Sequence, residues 1–310
     1  MELLLKPIAY ICIFFGMALL KTLGFFKAGE SKTISKIYMN FILPSVVVVS
    51  FASNPMADTS LFLLIPFALL YGLIPILIVY AFTRKLNKAD RAFYMINVSG
   101  INIGGFGIPM VQCFLGPAAI IPTCIMDVGN AIMMSGGAYT ITATLLHTDE
   151  NADESGLKKQ VLNICRRLFS NVALDVYLLM LVLLILHIHV PESVGTFLSP
   201  LSNASAFLSM AMLGTMFEFK ADWTFLKSIF KLIGAKLVFC AAGMAFVSFC
   251  MPFGWEIKKT AMIVLCCPIG ALAPIYTDMC HANGSKASCA NSLFILISFC
   301  LMTVLSLVLP

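Results

Sequence analysis

The side chains most able to do chemistry here are a carboxylic acid and two carboxamides, set in apolar sequence beside a repeated Gly/Pro pair. Asp127 lies within Thr123-Cys124-Ile125-Met126-Asp127-Val128-Gly129-Asn130. A carboxyl in the middle of a membrane helix costs about 2.5–3.5 kcal/mol on insertion scales, so it must face protein or a watery cavity. There it would bind a proton or a sodium ion, or hydrogen-bond a ligand when protonated. Its plainer role is a polar contact between packed helices. Asn130 stands one turn further along the same helix face, and Asn102, seven residues before Pro109, is placed to point towards them. Asp278 follows Pro274 by four residues. It is a second candidate for a coupling ion or proton, weighed against an exposed charge at a helix end.

Gly105 precedes Pro109 by four residues, and Gly270 precedes Pro274 by four. The two pairs are equally spaced, since 270 − 105 and 274 − 109 both equal 165. Proline removes a backbone donor and clashes with the preceding turn, and glycine leaves helical geometry at little steric cost. One such pair would only kink a membrane helix. Two at matching positions predict a pair of helices unwound near mid-depth. The freed N–H and C=O groups must then face protein, water or a ligand. Half-helix N-termini would present partial positive charge to an anion, and half-helix C-termini would present carbonyls to a cation.

The elements that hold these residues are read from composition. Of the 310 residues, 60% are hydrophobic and 11% are charged, against about 25% charged in soluble domains. The mean hydropathy is +0.96. That balance suits a chain whose outward face meets lipid. Spans of roughly 20 apolar residues are predicted at 3–24, 32–53, 60–83, 91–114, 117–146, 169–190, 193–217, 223–252, 257–280 and 285–309, an all-α integral membrane protein of ten transmembrane helices. Of the 20 Lys and Arg residues, all but Lys6, Lys236, Lys258 and Lys259 fall on one side of this arrangement. The positive-inside bias then puts both termini outside the cytoplasm. The polar stretch 148–160 reads as a short cytoplasmic linker between five-helix halves at 1–147 and 161–310. Five is odd, so the halves would be inverted repeats.

The net charge of +5 fits that bias better than nucleic-acid binding. The 11 cysteines lie mostly in apolar runs, with no CxxC pair, and read as small packing groups rather than disulfides or a zinc site. His147, His187 and His189 sit at span ends without ligand spacing. Asp175 and Lys236 are read as able to reach the interface by snorkelling. The sequence offers no HExxH, GxSxG or paired catalytic carboxylates, so no enzyme is expected. The apolar N-terminus reads as a first span rather than a cleaved leader.

At Asn102 with Gly105-Phe106-Gly107-Ile108-Pro109-Met110, and at Gly270-Ala271-Leu272-Ala273-Pro274, the chain resembles the auxin efflux carrier family. Met39-Asn40-Phe41-Ile42-Leu43-Pro44 and Met210-Ala211-Met212-Leu213-Gly214-Thr215-Met216 also look like that family. The resemblance runs over all ten predicted spans, and its specificity lies in the order of the motifs. It implies a fold similar to the sodium/proton antiporters and bile-acid transporters. Spans 1, 2, 6 and 7 would form a scaffold, and spans 3–5 and 8–10 a transport domain with an elevator-like motion. It implies transport of a small organic anion, a mono- or dicarboxylate, across the plasma membrane of a bacterium. The family's substrate-contacting asparagine maps to Asn102, and a fifth-span polar contact maps to Asn130. Gly105, Pro109, Gly270 and Pro274 would frame the substrate, and Asp127 would carry the coupling proton or sodium ion. Cys267 takes the ninth-span position matching Asn102, so the halves are not chemically equivalent. The loop 148–160 is far shorter than in many plant exporters. No cofactor is expected. The expected partners are the anion, membrane lipid and, as an assembly such a fold permits, a second copy of the chain. A cation/proton antiporter on the same fold is the nearest rival. A membrane metabolite sensor is the rival from another class, opposed by the doubled broken helix and by the lack of an evident signalling domain.

Overall fold

The computed structural model describes residues 2–27, 29–53, 59–148, 162, 164–166, 172–217 and 225–309. The charged stretch expected as a linker, with Lys158 and Lys159, lies outside the described residues, as do Arg167 and Lys220. The described residues are helical apart from short connections, and their one extended pairing is an isolated antiparallel bridge between Ile101 and Ile269.

The helices, in chain order, are α1 Glu2–Thr22, α2 Glu30–Ser53, α3 Ser60–Phe82, α4 Lys88–Val98, α5 Ile103–Leu115, α6 Pro117–Leu146 and α7 Val172–Ile185. They continue as α8 Glu192–Asn203, α9 Ser205–Met216, α10 Leu226–Cys250, α11 Trp255–Leu265, α12 Ala273–Met279 and α13 Gly284–Val308. By length and composition, five of them (α2, α3, α6, α10 and α13) are long and apolar enough to cross a membrane. Large apolar side chains stand exposed along them, among them Leu70 and Phe82 on α3 and Val238 and Phe249 on α10. Outward-facing residues of that kind need an apolar solvent, which marks a membrane-embedded α-helical protein.

The fourth and ninth expected spans are each two short helices, α4 with α5 and α11 with α12. The seventh is divided too, at Ala204 between α8 and α9, a break that no Gly/Pro pair announces. Asparagine opens three of the helices. Asn87, Asn102 and Asn283 each accept a hydrogen bond from the backbone N–H three residues on, at 2.8, 3.1 and 2.9 Å. This satisfies a donor that the first helical turn leaves unpaired. His147, His187 and His281 follow helix ends in the left-handed region, with φ of 49°, 54° and 55°, where glycine is the usual choice.

Packing follows the small residues. A methyl group at Gly129 would run into the Ile65 carbonyl, and one at Gly214 into the Phe14 carbonyl. Those glycines let α6 lie close on α3 and α9 close on α1. Close approach of backbones is how helices gain contact in lipid, where no hydrophobic force draws them together. α2 packs on α7 and α8, while α12 packs on α4 and α13.

Candidate functional site

The first interruption begins where α4 stops at Val98. Ser99 leaves helical geometry at φ −70° and ψ −147°, and the chain passes through Gly100 and Ile101 to Asn102, where φ −82° and ψ 73° turn it so that the Ile103 N–H donates to the Ile101 carbonyl at 3.0 Å before the π-helical turn Ile103–Gly107 opens α5. The second runs from Cys266 through Cys267-Pro268-Ile269-Gly270 to the start of α12. The extended pieces lie antiparallel. The Asn102 N–H donates to the Pro268 carbonyl at 2.9 Å, and the Gly270 N–H donates to the Gly100 carbonyl at 3.2 Å. Each break thus supplies partners that the other needs.

The pairing leaves the N–H and C=O of Ile101 on the far edge, and Asn130 takes both. Its Oδ1 accepts from the Ile101 N–H at 3.0 Å, and its Nδ2 donates to the Ile101 carbonyl at 2.7 Å. The carboxamide behaves as one residue of a third strand. Its Nδ2 also donates to Asp127 Oδ1 at 3.1 Å.

The carbonyl of Ser99, at the buried C-terminal end of α4, accepts from Lys236 Nζ at 3.1 Å. Lys236 is 3% exposed and lies near the middle of the 25-residue helix α10. The snorkelling expected of it does not occur. A cation at a helix C-terminus is favourable because the last carbonyls carry partial negative charge. Here the ammonium is also needed by a backbone group that has lost its helical partner. The Phe294 ring lies 5.7 Å from the same ammonium. Asn97 ties the broken helices together elsewhere, donating through Nδ2 to Phe93 O at 2.8 Å and to Thr277 Oγ1 at 3.0 Å.

A cavity of about 470 Å³ opens beside the crossing. Asn102, Gly104, Gly105, Asp127, Asn130 and Tyr177 are among its lining residues. Asp127 is 8% exposed. A methyl group at Gly104 would lie 2.9 Å from Asp127 Oδ2 and 3.9 Å from the Tyr177 hydroxyl, so both oxygens face the same backbone point. The Tyr177 hydroxyl is buried and has no hydrogen-bond partner among the described residues. One at Gly105 would lie 2.8 Å from Asn102 Oδ1 and 3.2 Å from Met39 Cε, so the Asn102 cap requires glycine there. The first turn of α5 therefore faces the cavity with its positive end.

No family profile matches the chain, and no curated protein matches it. The site is accordingly read from its own geometry.

Asn102, Gly105, Asp127 and Asn130 all line the cavity. Asn130 differs in role, because its carboxamide is already occupied by Ile101 and Asp127. Pro109 and Pro274 do not mark the unwound segments. Pro109 lies inside α5, just after its π-helical turn, and Pro274 sits second in α12, where a missing N–H costs nothing. Gly270 belongs to the pairing rather than to the cavity wall, and a side chain there would strike Met134. Asp278 is exposed and stands apart. Its Oδ1 accepts from the Gly284 N–H at 2.7 Å, so it caps α13. Among the described residues no three His, Cys, Asp or Glu groups are placed to hold a metal. Cys240 and Cys266 approach to 3.5 Å between sulfurs, a contact their spacing does not disclose.

Tyr177 and Lys236 are the site residues that sequence reasoning undervalues. Lys236 carries a usable signal, a charge far from both ends of a long apolar helix. Tyr177 carries none, since a tyrosine in an apolar run is ordinary packing.

Proposed function

We propose that the chain is a secondary transporter that carries a small organic anion, a mono- or dicarboxylate, across the plasma membrane by alternating access. In this reading the helices make ten spans in two inverted five-helix repeats. α1, α2, α7, α8 and α9 form the scaffold, and the broken helices move with the rest. The protein is a carrier rather than an enzyme and uses no cofactor beyond a coupling proton or sodium ion.

The observation that carries the proposal is the crossing of two interrupted helices beside a cavity that Asn102, Asp127 and Tyr177 help to line. Irregular backbone inside a membrane protein is tolerated where it meets protein or lines a cavity, and discontinuous helices of this kind build the central sites of many carriers. Further support comes from the motif order shared with the auxin efflux carrier family. In the site, the Asn102 carboxamide and the first turn of α5 would hold the carboxylate, and Asp127 would hold the coupling ion.

Uptake and counterflow of labelled malate, malonate, lactate and succinate in proteoliposomes test this. Saturable exchange of one of them, lost in Asn102→Ala protein that remains monodisperse, is the expected result. The lone carboxyl in the cavity favours a second reading, a cation/proton antiporter on the same fold. Gradient-driven sodium or proton movement with no exchange of any carboxylate would select it.

A further inference from the structure

The charge inventory at the crossing narrows the cargo. Among the described residues, three charged side chains are buried: Asp127, Lys236 and Lys286. Lys286 is matched by Asp90 at 3.1 Å. That leaves Asp127 and Lys236, one of each sign, at the two sides of the segment Ser99–Asn102. Lys236 is engaged with the Ser99 carbonyl and does not line the cavity. The cavity wall carries one ionisable carboxyl, Asp127, and no Lys, Arg or His. The titratable groups facing Asp127 are Cys124 on its own helix, Tyr177 on α7 and Cys267 in the second break. None is a cation.

Resting on the transporter reading, we infer that this cavity takes a monocarboxylate together with one proton, which resides on Asp127, and that it rejects dicarboxylates. Among the described residues no cation lines the cavity beside Asp127. A monoanion entering beside an ionised Asp127 would place two negative charges together in a region of low dielectric, which is strongly disfavoured. Protonation of Asp127 removes one of them. The same proton turns an acceptor into an O–H donor aimed at the incoming carboxylate, giving a short charge-assisted hydrogen bond. The unpartnered Tyr177 hydroxyl is a second donor, since it faces the same point at Gly104 as Asp127 Oδ2. The Asn102 carboxamide is a third, since its Oδ1 is fixed by Gly105 and its Nδ2 is left for a ligand. One carboxylate has lone pairs enough for all three. A second carboxylate on the same molecule would find no cation and no second proton.

The bound proton leaves Asp127 when the monoanion leaves. Each transport event therefore moves one anion and one proton in the same direction.

The test uses purified full-length protein in proteoliposomes, with labelled lactate and labelled malonate, at acid and at alkaline pH, with protein-free liposomes as the control for passive entry. Lactate counterflow is expected to exceed malonate counterflow at least tenfold. It should fall by about tenfold per pH unit once Asp127 is ionised. An inward proton gradient should drive accumulation without sodium. In Asp127→Asn protein, neutral at every pH, lactate counterflow should weaken, the part that remains should no longer depend on pH, and proton-driven accumulation should be lost. Equal exchange of malonate, an unchanged pH dependence in Asp127→Asn, or accumulation driven by sodium alone would overturn the inference while leaving the carrier reading in place. No exchange of either anion by the wild type would overturn both.

Discussion

The carboxamide of Asn130 holds both backbone groups of Ile101, at 3.0 and 2.7 Å, and so closes the open edge of the pairing between the two broken helices. A long helix, α6, thereby grips the break between α4 and α5 from one side, while the break between α11 and α12 holds it from the other.

Asn130→Ala removes this clamp and leaves the buried Ile101 N–H without a partner, while the Ile101 carbonyl keeps the Ile103 N–H at 3.0 Å. At roughly 1–3 kcal/mol for an orphaned group, the variant is expected to lose about 1–3 kcal/mol of stability. Thermal unfolding in detergent, followed by loss of monodispersity, measures it. A melting point within error of the wild type would show that water replaces the carboxamide.

Lys236→Met keeps the length and apolar stem of the side chain but removes the donor to Ser99. The expected cost is about 1–3 kcal/mol, read in the same assay. Double-mutant comparison with Ser99→Ala, whose carbonyl is unchanged, should give nearly additive losses, because the contact is made by the main chain of residue 99. Strong coupling between the two would point instead to a side-chain contact.

Asp278→Ala separates capping from ion coupling. Loss of the bond to the Gly284 N–H is expected to cost about 1 kcal/mol, and counterflow with its pH dependence should stay within about twofold of the wild type. A variant of normal stability that has lost its response to protons or sodium would restore Asp278 to the coupling path.

Much of this arrangement is legible in the sequence, and the part that is not has a physical cause. The Gly/Pro repeat correctly locates the two interrupted helices, because both residue types act on the local backbone. It does not give the register of the crossing. Ile101 pairs with Ile269, and 269 − 101 is 168, against 165 for the glycines and prolines. The three-residue difference arises because the first break inserts the π-helical turn Ile103–Gly107 between Ile101 and Pro109, while the second break reaches Pro274 soon after Ile269. Asp127 and Asn130 are legible as partners from their spacing on one helix. That Asn130 should face Ile101 depends on how α6 is rotated against the break, which spacing on one helix cannot specify. The position of Lys236 shows the limit of a residue-by-residue reading. Its charge is plain, but its acceptor is a carbonyl, and carbonyls have no letter in the sequence.

The pairing at the crossing is made by main chain with main chain, through residues 100, 102, 268 and 270. Such a joint is nearly indifferent to the identity of the side chains beside it. At position 102 it forbids only proline, which has no N–H to donate, while at 100 and 270 Met134 leaves no room for a side chain. The isoleucines at 101 and 269 are therefore free to drift among apolar types while the joint persists. Proteins descended from a common ancestor could keep this crossing intact long after their residues here had ceased to look alike, and a search that compares letters would pass over the feature that most defines the architecture.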